Sequence, residues 1–328
     1  MRLIRALPIL IVLLACRAHA GGTPILREVA DIPLPGPANR FDYASLDASS
    51  GLLYLNHMGA GEVVVFDTRA RKVVAVLKGF PRCTGILALP SLGRIFVSAA
   101  GEGKVVAVDM KTRAVLARLD AGGFPDGLAF DPQSQRLFVS DESGKAVTVL
   151  DPVELKPIRR ISIGGEAGNT QVDEASHLVY TNDQTDGDLV VIDPVKLLVL
   201  ARIPLGLKGN HGLCLDTARH LAFIANEDES VLLVLDLTTR KVTGRFHVGQ
   251  DPDVLAFDPG TRRLFVASES GTLSIFHESG AGLIKEGDQV IGPNAHVVAL
   301  DPATHLLYLP LKNLGGRPLL RILEPGRP

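Results

Sequence analysis

The chain has 328 residues, of which 46% are hydrophobic and 5% aromatic, and tryptophan is absent. This hydrophobic share argues against a disordered chain, and the many Val and Leu residues suit short β-strands packed through branched aliphatic side chains. The formal charge of −2 gives no basic excess, which argues against a nucleic-acid-binding protein.

The first twenty residues have the pattern of a secretory signal peptide. A charged start over residues 1–5 precedes an apolar run over residues 6–15, and Ala18-His19-Ala20 supplies the small-residue end. We expect cleavage after Ala20, which would remove three arginines and change the formal charge from −2 to −5. Residues 21–328 would then be a single mature domain, periplasmic or secreted.

A second interpretation of the same segment stays open. Residues 13–16 resemble a bacterial lipoprotein cleavage box, which would leave a lipid on Cys16. Leu14 is bulkier than that box usually holds, so cleavage after Ala20 is the preferred prediction. No later segment approaches 18 consecutive apolar residues, and we expect no transmembrane segment.

A repeat fills the rest of the chain, with spacings of 42, 42, 42, 43, 42 and 43 residues. Each copy opens with a short apolar strand followed by a turn. The openings begin at Asp42, Thr84, Asp126, Gly168, His211, Asp253 and His296.

Three further apolar strands follow within each repeat, except in the last. In the first repeat they are predicted at residues 52–56, 63–67 and 72–77, with turn-forming residues between them. Four strands without helical periodicity are typical of one propeller blade, which packs both faces on its neighbours. The sequence therefore predicts an all-β fold, a seven-bladed β-propeller with four antiparallel strands per blade.

The seventh repeat has no fourth strand, because the chain ends soon after the strand predicted at residues 319–323. Residues 25–34 have the pattern of the missing strand and belong to no repeat of their own. A ring cannot tolerate an open strand edge, so we expect residues 25–34 to close the last blade. Their deletion should then reduce solubility.

The second strands carry related motifs, such as Ile-Phe-Val-Ser at 95–98, Leu-Phe-Val-Ser at 137–140 and Leu-Val-Tyr-Thr-Asn at 178–182. With these motifs, nearly all of the mature chain resembles the YVTN-repeat propellers, including the YncE-like periplasmic proteins. The resemblance implies the fold and says little of activity, because the motifs are structural.

Ionisable residues recur at two positions of the repeat. In the usual propeller topology, the innermost strand begins at the mouth of the central channel, and the second strand ends at the same face. The predicted ligand-binding residues are Arg40, Asp42, His57, Arg82, Asp126, Glu142, Asp183, His211, Glu227, Asp253, Glu269 and His296. For any single carboxylate the alternative is structural, since short polar side chains hydrogen-bond loop amides and join blades.

His211, Asp253 and His296 open three consecutive repeats. Imidazole nitrogens and carboxylate oxygens bind divalent transition metals such as zinc, and they equally suit acid–base chemistry near neutral pH. These three residues are the candidate metal ligands, and a divalent metal is the candidate cofactor. Arg40 and Arg82 could grip a carboxylate or phosphate, or they could balance the acidic ring.

The remaining cysteines and histidines are assigned structural roles. Cys83 and Cys214 fall in the second and fifth repeats, too far apart for a disulfide, and we expect two buried free thiols. His177, His220 and His305 each precede a second strand, and we expect solvated turn histidines on the opposite face.

No nucleophile-elbow, phosphate-loop or haem-attachment motif is present in the sequence. The prediction is therefore a binding module, expected to be monomeric, that takes a small molecule or a protein at the channel mouth. A metal-assisted hydrolase, lactonase or lyase using the histidines and aspartates of the same mouth is the alternative. Nucleic acid is not an expected partner.

Overall fold

The computed structural model describes residues 25–280 and 282–326. They form twenty-eight strands in seven four-stranded sheets, with short 3₁₀ helices at Met58–Ala60, Pro90–Leu92 and Ala100–Glu102. Strands that neighbour one another in a sheet are antiparallel. The predicted all-β, seven-bladed propeller is confirmed.

In blades 1–6 the strands follow chain order from the channel outwards. Blade 1 contains β2 (Ala44–Asp47), β3 (Leu52–His57), β4 (Glu62–Asp67) and β5 (Lys72–Lys78). Blade 2 contains β6 (Cys83–Leu89), β7 (Arg94–Ala99), β8 (Lys104–Asp109) and β9 (Val115–Asp120). Blade 3 contains β10 (Pro125–Asp131), β11 (Arg136–Asp141), β12 (Ala146–Asp151) and β13 (Lys156–Ser162). Blade 4 contains β14 (Ala167–Asp173), β15 (Leu178–Asp183), β16 (Asp188–Asp193) and β17 (Leu198–Pro204).

The last three blades continue the series. Blade 5 contains β18 (Asn210–Asp216), β19 (Leu221–Asn226), β20 (Val231–Asp236) and β21 (Lys241–His247). Blade 6 contains β22 (Pro252–Asp258), β23 (Arg263–Ser268), β24 (Thr272–Ser279) and β25 (Gly282–Val290). Blade 7 contains β26 (Ala299–Leu300), β27 (Leu307–Leu314), β28 (Arg317–Pro325) and β1 (Leu26–Pro33).

The hydrophobic core lies between the blades. Seven clusters of buried apolar side chains occur in the described residues, and each draws on two adjacent blades, including blades 7 and 1. Each innermost strand contacts the innermost strand of the next blade, and β26 contacts β2, which closes the ring. The apolar side chains of each blade are therefore buried against the neighbouring blades rather than in one central core.

The N-terminal strand closes the last blade, as predicted. β1 pairs antiparallel with β28, from Leu26 opposite Pro325 to Pro33 opposite Leu319. Arg321 of β28 donates two hydrogen bonds to Asp31 of β1, at 2.8 and 2.6 Å. Backbone pairing is thus reinforced by a bidentate ion pair.

The ends of the second strands join neighbouring blades. The Asn182 side-chain amide of blade 4 donates to the carbonyls of His211 and Gly212 in blade 5, at 2.9 and 3.2 Å. Asn56 donates in the same way to the carbonyls of Thr84 and Gly85. The asparagine near the end of the second strand is thus structural, and it fixes the start of the next innermost strand.

Two innermost strands begin later than the repeat predicts. In blades 2–6 they begin one residue before the predicted opening, whereas β2 begins at Ala44 and β26 at Ala299. In blade 1, the amide of Asp42 still donates to the Asn56 carbonyl at 2.9 Å, so the chain already lies beside β3. In blade 7, Pro310 of β27 has no amide hydrogen to donate to the ladder.

Two of the structural predictions for cysteine and histidine need correction. Cys83 is buried as expected and both thiols are free, but Cys214 is partly exposed, since it packs at the margin of the cluster between blades 5 and 6. Burial raises the pKa of each thiol to about 12.

The turn histidines are not all solvated. His177 Nε2 lies 2.9 Å from Asp131 Oδ2, and His305 Nδ1 lies 2.7 Å from Asp258 Oδ2. Both aspartates end the innermost strand of the preceding blade, so these two histidines join blades, whereas His220 is exposed as expected.

The signal peptide and the lipid attachment at Cys16 concern residues outside the described part of the chain. Within residues 25–280 and 282–326, no helix has the length and hydropathy to cross a membrane.

Candidate functional site

A polar cavity of about 340 Å³ lies at one end of the central channel. Its walls come from the starts of the innermost strands and from the residues that follow the second strands. The lining residues are Arg40, Asp42, Tyr43, Met58, Arg82, Thr84, Phe124, Asp126, Glu142, His211, Glu227, Asp253 and Glu269. We call this cavity the mouth.

Tyr43 forms the floor of the mouth. Its side chain borders both the mouth and a smaller cavity of about 200 Å³ deeper in the channel. The phenol donates a 2.6 Å hydrogen bond to Asn169 Oδ1, which links blade 1 to blade 4 across the channel. Burial, followed by the repulsion of nearby carboxylates, raises the pKa of Tyr43 well above its usual value, so the phenol keeps its proton.

Close backbone approach brings blades 5 and 6 together beside the mouth. A Cβ atom at Gly212 would lie 2.0 Å from the carbonyl oxygen of Asp253, far inside contact distance. Only glycine fits there, and the approach places the preceding side chain, His211, against Asp253.

His211 lies among carboxylates. Its Nδ1 is 3.2 Å from Asp253 Oδ1 and 3.5 Å from Glu227 Oε1, and its Nε2 is 3.6 Å from Asp126 Oδ2. Burial opposes the charge, but Asp126 and Asp253 outweigh it and raise the pKa of His211 well above its usual value. Burial alone would raise the pKa of Asp253, but the neighbouring His211 lowers it.

Arg40 is the centre of a second group of charges. Its guanidinium forms an ion pair with Glu269 and lies 3.8 Å from Asp42 Oδ2 and 3.9 Å from Asp253 Oδ2. Burial, together with Asp126 and Asp253, raises the pKa of Asp42 well above its usual value. This side of the mouth therefore already contains a cation.

His296 lies behind Asp253 and does not line the mouth. Its side chain is 1% exposed, Nδ1 is 3.1 Å from the Asn294 carbonyl, and Nε2 is 3.8 Å from Asp253 Oδ2. Burial lowers the pKa of His296, which favours the neutral imidazole.

The opposite wall combines acidic, basic and aromatic groups. Burial raises the pKa of Glu142, and it raises the pKa of Glu227 to about 7. The Arg82 guanidinium lies 4.6 Å from the centre of the Phe124 ring, a cation–π contact. No carboxylate of the described residues forms an ion pair with Arg82.

Nine of the twelve predicted site residues line the mouth, and His296 lies next to it. The nine are Arg40, Asp42, Arg82, Asp126, Glu142, His211, Glu227, Asp253 and Glu269. His57 and Asp183 lie elsewhere. His57 is fully buried and stacks on Phe41, with ring centres 4.1 Å apart. Asp183 pairs with Arg202 at 2.9 Å and accepts from the Gly165 amide at 3.2 Å.

A one-residue difference in register explains these two misplacements. His57 and Asp183 are the last residues of their second strands, whereas Glu142, Glu227 and Glu269 each come one residue after the strand end. Side chains alternate along a strand, so one residue is enough to turn the side chain away from the mouth.

Four lining residues are not among the twelve predicted site residues: Tyr43, Met58, Phe124 and Thr84, which opens the second repeat. Met58 occupies the same repeat position as Glu142, so the correct register would have identified it. Tyr43 directly follows the opening residue Asp42, and Phe124 precedes Asp126 by two residues. The aromatic side chains of Tyr43 and Phe124 were the signal in the sequence that could have identified them.

Two groups in the described residues have the donor atoms and spacing of metal ligands. One consists of Asp42, Asp253 and His296, the other of His211, Glu227 and Asp253, and the ligand atoms of each lie within 4.8 Å of one another. The predicted set His211, Asp253 and His296 is therefore divided between two groups that share Asp253, and the two histidines face different oxygens of that carboxylate.

Comparison with known proteins finds similarity in structure alone. No protein-family model matches the chain, and no curated protein matches it. A chain of hydrazine synthase from Kuenenia stuttgartiensis aligns with a TM-score of 0.75 and 14% identity, covering 90% of this chain and 97% of that one. A chain of the mitotic checkpoint complex aligns with a TM-score of 0.77 and 13% identity, covering 98% and 100%. At such identities the likeness shows the propeller fold and nothing finer.

Proposed function

We propose that this chain is a secreted or periplasmic binding module of the YVTN-repeat, YncE-like kind, which takes a small molecule with a positively charged group at the mouth. The observation that carries the proposal is the charge of the mouth. Six carboxyl groups line it (Asp42, Asp126, Glu142, Glu227, Asp253, Glu269), against two arginines and the imidazole of His211. A cationic group would neutralise this excess in a partly desolvated cavity.

The shape of the mouth supports a small molecule. Its volume of about 340 Å³ is at the lower end of the range for ligand pockets, and Tyr43 closes it from below. Phe124 and Met58 add apolar surface beside the carboxylates. A protein partner would have to reach this depth with a side chain such as lysine.

The location is part of the same proposal. The signal-peptide pattern supports export, with residues 21–328 as the mature domain. The mass of the protein purified from the cell envelope tests this: we expect a chain starting at Gly21, and an uncleaved or lipidated chain would contradict it.

A thermal-shift screen of amines, amino acids, sugars and carboxylates tests the binding function. We expect stabilisation by the cationic compounds, by about 2.7 kcal/mol at a concentration 100 times the Kd. Glu142→Gln, which removes one charge from the wall, should weaken the best ligand about tenfold.

Glu174→Gln is the matched control, because Glu174 is exposed at a turn outside the mouth. Binding confined to anions, silence across the panel, or equal affinity of Glu142→Gln and the parent would contradict a cation-binding mouth.

A metal-assisted hydrolase, lactonase or lyase is the second candidate function. The observation in its favour is the pair of metal-ligand groups around Asp253. Turnover of a panel of lactones or esters, lost on chelation and restored by metal, would support this function. Turnover that chelation leaves unchanged would contradict a role for metal.

A further inference from the structure

The two ligand groups around Asp253 differ in how their charges are compensated. Asp253 Oδ2 and Asp42 Oδ2 both lie within 3.9 Å of the Arg40 guanidinium. The positive charge of Arg40 therefore already compensates the carboxylates of the group that includes His296. Among the described residues, no lysine or arginine forms an ion pair with Glu227 or with Asp253 Oδ1. The group around His211 is therefore the better place for an added ion.

Unpartnered buried atoms face one another in this group. The Asp253 side chain is 7% exposed, and its Oδ1 has no hydrogen-bond partner within the described part of the chain. His211 Nδ1 likewise has none, since its 3.2 Å approach to Asp253 Oδ1 is not aligned as a hydrogen bond. Buried polar atoms without partners are uncommon, and these two face one another with lone pairs that could bind an ion.

The donor spacing matches a metal site. His211 Nδ1 lies 3.2 Å from Asp253 Oδ1 and 3.5 Å from Glu227 Oε1. Ligands placed tetrahedrally at roughly 2.1 Å from a metal are about 3.4 Å apart. The three donors can thus reach one ion with little movement.

Asp126 supplies the outer support that such a site needs. Its Oδ2 lies 3.6 Å from His211 Nε2, whereas Glu227 and Asp253 face the other ring nitrogen, Nδ1. Metal-bound histidines usually direct the other ring nitrogen at a carboxylate, which fixes the tautomer and leaves the ligating nitrogen free.

The geometry points to a divalent transition-metal site made of His211, Glu227 and Asp253, open to the mouth. One nitrogen and two carboxylate oxygens suit zinc or manganese. The Glu227 side chain is 38% exposed, so the ion would keep positions facing the cavity for water or a ligand donor atom. The inference rests on the proposed function, because it names a cation that the acidic mouth would hold.

Calorimetric titration of the chelator-treated protein with zinc and manganese tests the site. We expect one ion per chain in the parent and affinities at least about 100-fold lower in His211→Ala and Glu227→Gln. His177→Ala, at the blade junction, is the matched control and should bind as the parent does. His296→Ala removes a donor of the other group and should weaken binding less than His211→Ala does. Circular dichroism and unfolding curves establish that each variant is folded.

Cobalt substitution gives a second readout that does not depend on stability. We expect visible absorption bands of protein-bound cobalt in the parent and in His177→Ala, and none in His211→Ala. No ion in the parent, undiminished binding by His211→Ala, or loss confined to His296→Ala would overturn the assignment.

The amine screen, repeated after chelation, separates this inference from the proposed function. Amine binding without metal binding leaves the proposed function standing and removes the metal site. Metal binding without amine binding supports the metal site and contradicts the proposed binding of cationic small molecules.

Discussion

At the scale of the residue, Asp253 organises the mouth. One carboxylate oxygen faces His211 Nδ1 at 3.2 Å, and the other faces Arg40 and His296 at 3.9 and 3.8 Å. Burial alone would favour the neutral acid, but His211 lowers the pKa of Asp253. The charge of this aspartate is thus secured by neighbours from two other blades and from the loop before blade 1.

Glu227 gives the mouth a pH dependence near neutrality. Burial raises its pKa from 4.5 to about 7, so the folded state binds this proton more tightly than the unfolded state does. Its contribution to the free energy of unfolding is therefore greatest below about pH 4.5 and falls as the pH rises to about 7.

Glu227→Gln should remove this fall in unfolding free energy with rising pH. Relative to the parent, we expect the variant to gain about 1 kcal/mol above pH 7 and little at pH 4.5, a modest figure because the side chain is 38% exposed and solvent screens its charge. Urea unfolding at both pH values measures the difference, with Glu174→Gln as the control. A gain that is the same at both pH values would contradict the assigned titration.

The positions of the mouth residues could be predicted from the repeat, but their contacts could not. Aligning the openings was enough to place Asp126, His211 and Asp253 together. Which oxygen of Asp253 faces which histidine depends on side-chain rotamers and on the approach allowed by Gly212, and no sequence pattern encodes that. The misplaced His57 and Asp183 show how strongly the result depends on a register correct to one residue.

At the scale of the element, the ends of the second strands have two separate roles. Residues in the last two strand positions bond to a neighbouring blade or loop, as Asn56, Asn182 and Asp183 do. The first residue after the strand, such as Glu142 or Glu227, lines the mouth. The same short segment thus determines both the blade spacing and the ligand contacts.

Asn182→Ala tests whether the bonds between blades also support the ligand contacts. It removes two buried hydrogen bonds to the carbonyls of His211 and Gly212, and we expect a loss of about 1–3 kcal/mol in unfolding free energy. Because those carbonyls belong to the strand that carries His211, affinity for the cationic ligand should fall as well.

Asn56→Ala is the matched control, since it makes the equivalent bonds between blades 1 and 2. It should lose similar stability, as measured by urea unfolding, and retain more of the affinity. Equal losses of affinity in the two variants would argue against a local effect on His211.

Strand boundaries followed from apolar alternation and turn residues in nearly every blade. The exceptions, β2 and β26, have physical causes that the alternation does not report. Pro310 removes an amide donor in blade 7, and in blade 1 the chain pairs through Asp42 before the regular ladder begins.

At the scale of the whole molecule, the ring depends on one junction between distant parts of the chain. β1 and β28 meet in blade 7, and the Asp31–Arg321 ion pair joins them. All other blades are formed by continuous segments of chain, so this junction is the one that thermal opening of the ring would break first.

Asp31→Ala should weaken the ring. The Arg321 side chain is 16% exposed and would lose both charge-assisted bonds to Asp31, so we expect a loss of about 1–3 kcal/mol in unfolding free energy. Glu28→Ala is the control, because Glu28 is 54% exposed and reaches the same arginine at 3.4 Å. Equal effects of the two substitutions in urea unfolding would contradict the importance of the bidentate pair.

A crystal structure of the protein with the best cation from the screen tests the central claim most directly, namely that the acidic mouth is the binding site. We expect the positive group of the ligand between Asp126, Glu142 and the Asp253 carboxylate, above Tyr43. A ligand bound on the opposite face of the ring, or at an outer strand with the mouth occupied by water alone, would contradict the account.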